Sequence, residues 1–138
     1  MGTWGIGSFD NDGAVDWIMD FAEEQSLAKL HSAFRMVSDE NGTIESIDAE
    51  EAIVAAEVCA ALRGNVSIDF PDEELVEITR EPLLIPNELI TTSIKCINSI
   101  LSKSELKELW EETADFDNWN EDMKELRDRL QACLMKAV

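Results

Sequence analysis

The chain has 138 residues, 45 % of them apolar, and sets 30 Asp and Glu against 11 Lys and Arg for a formal net charge of −19. A surface this acidic repels phosphate, nucleic acid and anionic lipid, and it attracts basic proteins over a Debye length of roughly 8–10 Å. The apolar content and the three prolines separate the chain from disordered acidic tails, and its length suits one domain with a single core.

The predicted elements are helical throughout. Ala14, Val15, Ile18, Met19, Phe21 and Ala22 make an apolar stripe over residues 13–24. Leu27, Leu30, Phe34 and Val37 repeat the period in a second helix capped by Ser26, and the run Asp39, Glu40, Asn41, Gly42 breaks it as a turn. A third helix is expected from an Asp48 N-cap with Glu51 as capping-box partner and Ile47 and Ala52 as a hydrophobic staple. Its alanine-rich body to Leu62 allows close approach by neighbours, which predicts a central position, and Gly64 supplies the stop. Residues 65–71 read as a loop, and a short helix over Asp72–Arg80 ends before Pro82. Pro86 suits the first turn of a helix with the stripe Leu89, Ile90, Ile94, Ile97, Ile100 and Leu101. Ser102 and Glu105 form a second capping box, with Leu101 and Leu106 as its staple. A last helix begins near Asp117 or Asn118 and carries Glu125 and Arg129 as an i,i+4 pair. The fold class expected is all-α: one compact domain of six to seven helices over residues 1–138.

Three cysteines, Cys59, Cys96 and Cys133, each lie in an apolar helical pattern, which predicts buried reduced thiols and a cytoplasmic protein. No secretory pattern opens the sequence, and no apolar run approaches the ~20 residues that span a bilayer. Ile6 stands where a myristoylation signal needs Ser or Thr.

The opening reads Trp4, Gly5, Ile6, Gly7, Ser8, Phe9, Asp10, Asn11, Asp12, followed by Asp16 and Trp17. As architecture, Gly5 and Gly7 permit close backbone approach, Trp4 and Phe9 anchor the segment on the core, and Asp10, Asn11 or Asp12 caps the first helix. The alternative is a site built from Asp10, Asp12 and Asp16 beside Trp17. This segment resembles the start of a family of small acidic bacterial proteins, the domain of unknown function 4259. The resemblance continues through the alanine-rich helix ending in Ala61, Leu62, Arg63, Gly64, and through Ser104, Glu105, Leu106, Leu109 and Trp110. It implies a compact helical fold and no established activity.

Catalytic and metal patterns are sparse. Calcium-loop spacing fails around both Gly13 and Gly42, the three cysteines are not closely paired, and His31 is the single histidine. Gly5 to Gly7 follows no strand, so it is no dinucleotide loop, and no basic face suits nucleic acid. One enzymatic pattern remains. Glu108 with Glu111, and Glu125 with Asp128, each share a helix face and could hold Mg²⁺ for hydrolysis of a nucleotide phosphate.

The function expected is therefore non-enzymatic, without cofactor, membrane or direct nucleic-acid contact: an acidic module that binds a basic protein. Its most concrete form is an immunity or inhibitor protein that blocks the basic cleft of a toxin or nuclease. The partner-binding candidates are Asp39, Glu40, Glu45, Asp72, Glu73, Glu74 and Glu77, in or beside predicted loops. The Mg²⁺-dependent helical phosphohydrolase is the alternative.

Overall fold

The computed structural model describes residue 3 and residues 5–135. Among these are seven α-helices: α1 (Asp12–Glu23), α2 (Leu27–Ser38), α3 (Ser46–Leu62), α4 (Asp72–Arg80), α5 (Asn87–Lys103), α6 (Glu105–Glu111) and α7 (Phe116–Met135). The only β-type pairings among the described residues are two isolated bridges, Thr3 with Asn11 and Ile44 with Ser104. The all-α expectation holds. No helix of the described residues is long and apolar enough to cross a membrane.

The alanine-rich segment forms the axis. Helix α3 packs against each of the other six helices, and from Ala52 to Ala61 every residue is buried. Small side chains on all sides let neighbours pack close, so this helix lacks the polar stripe of a surface helix. Around it, Ile18 and Phe21 of α1, Leu30 and Phe34 of α2, Leu89, Ile90, Ile97 and Ile100 of α5, and Leu126 and Leu130 of α7 complete the core. Cys59, Cys96 and Cys133 are all buried, as their apolar surroundings in the sequence predict, and burial pushes the Cys96 thiol up to about 12.

Helix ends follow the expected chemistry at three places and depart from it at two. Asn11 Oδ1 accepts from Ala14 N at 2.7 Å and Ser26 Oγ accepts from Lys29 N at 3.2 Å. Gly64, at φ +86°, closes α3 with its N–H on the Ala61 carbonyl and the Asn65 N–H on that of Ala60, the Schellman pattern. The Asp48 capping box does not form. The chain pairs first with the end of α5, Ile44 N to Lys103 O at 2.9 Å and Glu105 N to Ile44 O at 2.8 Å. Helix α3 therefore starts early, at Ser46, whose N–H bonds Glu105 Oε1 at 3.0 Å. Ile47 is 51 % exposed instead of acting as a staple. The second box is displaced as well. Ser102 lies inside α5, bonding the Ser99 carbonyl, and the buried Ser104 accepts from Lys107 N at 3.0 Å to cap α6.

Candidate functional site

The opening motif forms a loop over residues 5–10 that leads into α1. Asp10 Oδ2 accepts the Gly7 N–H at 3.1 Å. A Cβ on Gly5 or Gly7 would stand 2.5 or 2.8 Å from that oxygen, so both positions require glycine while Asp10 keeps its place. Phe9 is buried edge-on against Phe70, with ring centroids 4.9 Å apart. Trp17 stacks on Phe21 at 5.2 Å. The anchoring role expected of Trp4 lies outside the described residues.

Ser8 ties this loop to the centre of the molecule. Its hydroxyl donates to Glu57 Oε2 at 2.7 Å, and Glu57 is the charged residue among the buried positions of α3. Arg129 of α7 meets it with Nη1 3.0 Å from Oε1 and Nη2 3.2 Å from Oε2. The same guanidinium bonds Glu125 through Nε at 2.7 Å and the Asn65 carbonyl through Nη1 at 3.2 Å. Asn65 Nδ2 returns a bond to the Arg129 carbonyl at 2.9 Å. A buried carboxylate is tolerated only with such pairing. One turn away, burial followed by the charges of Glu57, Glu125 and Asp69 pushes the Asp122 carboxyl up to about 6 against the opposing pull of Arg129. Sequence spacing singled out Glu125 with Arg129 but missed Glu57. The available signal was a lone glutamate within an otherwise apolar ten-residue run.

Six of the seven expected partner-binding residues divide into two places, and Glu45 lies apart from both. Glu73, Glu74 and Glu77 line an open groove of about 530 Å³ between α4 and the last turns of α1, and Asp72 opens the same helix. Residues 73, 76, 77 and 80 share one face of α4 by helical spacing, as 19, 22 and 23 do on α1. The floor is apolar: Met19 is 53 % and Val76 59 % exposed. Glu23 adds a fourth carboxylate to the rim, and the groove's single cation, Arg80, is spent on Glu77 at 3.0 Å. Ile78, fully buried, pins the opposite face of α4 to the core. Asp39 and Glu40 line a different hollow with Arg35, Met36 and Asp48. There Glu40 folds back onto its own turn, its Oε1 accepting the Gly42 N–H at 2.8 Å. Burial, and then the Glu40 charge, raise the Asp48 carboxyl. Glu45 precedes α3 as its N-cap residue, without a side-chain cap bond.

The four carboxylates of the magnesium alternative are distributed over α6 and α7. Glu125 is held by Arg129, and Glu111 lies 4.0 Å from Lys107. Among the described residues no group of three or more His, Cys, Asp or Glu side chains is placed to hold a metal ion.

Six helices packed around the buried, alanine-rich α3, with an acidic groove on one flank, define an all-α helical module. The family described as Domain of unknown function (DUF4259) matches residues 2–122, most of the chain, and the protein belongs to it. Neither a curated protein nor a solved structure matches the chain.

Proposed function

We propose that this protein is a non-enzymatic binding module whose acidic groove between α1 and α4 docks a basic protein. The observation that carries the reading is the union of two features in one place. An exposed apolar floor of Met19 and Val76 lies within a rim of Glu23, Glu73, Glu74 and Glu77. Apolar contact supplies affinity and the carboxylates supply steering and selectivity for Lys- and Arg-rich surfaces. The chain's −19 charge extends that attraction beyond the groove. The partner class that fits best is a protein with a basic substrate cleft, such as a toxin or nuclease, which this protein would neutralise as an immunity or inhibitor protein by covering the cleft.

The test is paired capture from the native host's lysate, with the wild-type chain and a Glu73→Lys, Glu74→Lys, Glu77→Lys variant as baits. The reading expects a basic protein that the wild type retains at low salt and releases at high salt, and that the variant does not retain. Equal retention by both baits would remove the groove from the account.

A further inference from the structure

We propose that a second, more enclosed pocket, between the starts of α1 and α3 and the face of α6, is a binding site for a small organic cation, an alkylammonium with a short apolar stem. The cavity is about 290 Å³, at the small end of ligand sites. Its walls are the aliphatic side chains of Ile47, Leu106 and Leu109 and the half-buried ring of Trp110. Its charged lining residues are Asp12 and Glu50, both carboxylates, and no Lys or Arg lines it among the described residues.

Two helix starts border the pocket, and their positive ends would ordinarily favour an anion. Here that preference is answered in part from within the chain. Asn11 occupies the Ala14 amide, Glu105 occupies the Ser46 amide, and Asp12 sits in the first turn of α1. Glu50 accepts a long bond of 3.4 Å from the Thr3 hydroxyl and forms no ion pair among the described residues. Burial, followed by the neighbouring charges of Glu51 and Asp12, holds its carboxyl above the usual range. An ammonium beside Glu50 would offset both effects. Trp110 lines the same pocket, where an aromatic ring attracts a cation, and the aliphatic walls take the stem. This site shares no lining residue with the α1–α4 groove, so it stands or falls independently of protein docking.

The experiment is a titration of the ¹⁵N-labelled protein with n-pentylammonium chloride, using n-pentanol and sodium pentanoate as neutral and anionic counterparts and sodium chloride to hold ionic strength constant. Saturable shifts are expected at the amides of residues 12–13, 46–50 and 106–113 and at the Trp110 indole N–H. Pentanol, pentanoate and the Glu50→Gln variant should each bind about tenfold or more weakly than the wild type binds pentylammonium, the loss of one charge-assisted contact. Gly13→Ala is the second variant, because its methyl would stand 3.5 Å from both Glu50 Oε1 and Ile47 Cδ1, at ordinary contact distance. It should keep the fold and weaken binding by narrowing the pocket. Equal binding of pentanol would leave a merely apolar hollow and overturn the proposal. So would full affinity in Glu50→Gln, or unsaturable shifts spread over the whole acidic surface.

Discussion

At the scale of single residues, Glu57 and Arg129 have the largest expected energetic effect. Truncating one partner strands the other's charge in a site where Glu57 is 2 % exposed. Arg129→Met is expected to destabilise by about 3–5 kcal/mol in urea unfolding, whereas replacing both by leucine should recover most of that loss. An equal loss in the double variant would mean that packing, not charge, sets the cost. Asp122 titrates in the opposite sense to a salt-bridged carboxylate. Its folded-state value of about 6 lies above the ordinary 3.8, so the native state binds the proton more tightly than the unfolded chain. The favourable contribution is complete below the unfolded value and declines as pH rises from about 4 to about 6. Asp122→Asn should therefore raise the Tm at pH 7 and flatten its fall between pH 4.5 and 7. These residues were only half legible in the sequence. The spacing of Glu125 and Arg129 specifies a local pair, but nothing local says that Arg129 also reaches back to a glutamate 72 positions earlier.

At the scale of elements, local patterns located the helices and misplaced some of their ends. Asn11, Ser26 and Gly64 act through bonds to residues within five positions, so sequence reading found Ser26 and Gly64 and narrowed the first cap to Asp10, Asn11 or Asp12. The starts of α3 and α6 are set instead by the pairing of Ile44 with the Lys103–Glu105 turn, a tertiary contact across about 60 positions that no capping rule contains. The alanine content of α3 was legible as close packing, and it gives a direct test. Ala56 is fully buried, and Ala56→Leu should destabilise by about 1–3 kcal/mol through overpacking. An unchanged unfolding midpoint would mean that α3 has slack on that side. Gly13 offers the converse case. It sits within α1 and its added methyl meets only ordinary contacts at 3.5 Å, so Gly13→Ala should stabilise by about 0.5–1 kcal/mol in the same assay.

At the scale of the whole molecule, charge organises the account. The −19 imbalance repels itself in the compact state. Glu50, Glu51 and Asp48 are all raised, with burial as the first cause of each. Mild acidification from pH 7 toward 5 and added salt at pH 7 should therefore both raise the Tm. A Tm indifferent to both would show that self-repulsion is well dispersed. The sequence announced the acidity and the run Asp72, Glu73, Glu74, Glu77, but it could not separate these from Asp39 and Glu40. Helix α4 lies against the end of α1, where Met19 and Val76 provide an apolar floor, while Glu40 is folded onto its own turn. That distinction depends on which helices become neighbours, information that no window of the sequence holds.

The central claim, the proposed docking of a basic protein, is most directly tested by the association rate with the protein recovered in the paired capture, measured against ionic strength for the wild type and for a variant with Glu73, Glu74 and Glu77 replaced by glutamine. The account predicts a fast wild-type rate that falls steeply with salt, and a slower variant rate with a shallower dependence. Identical rates and salt slopes for the two chains would contradict it.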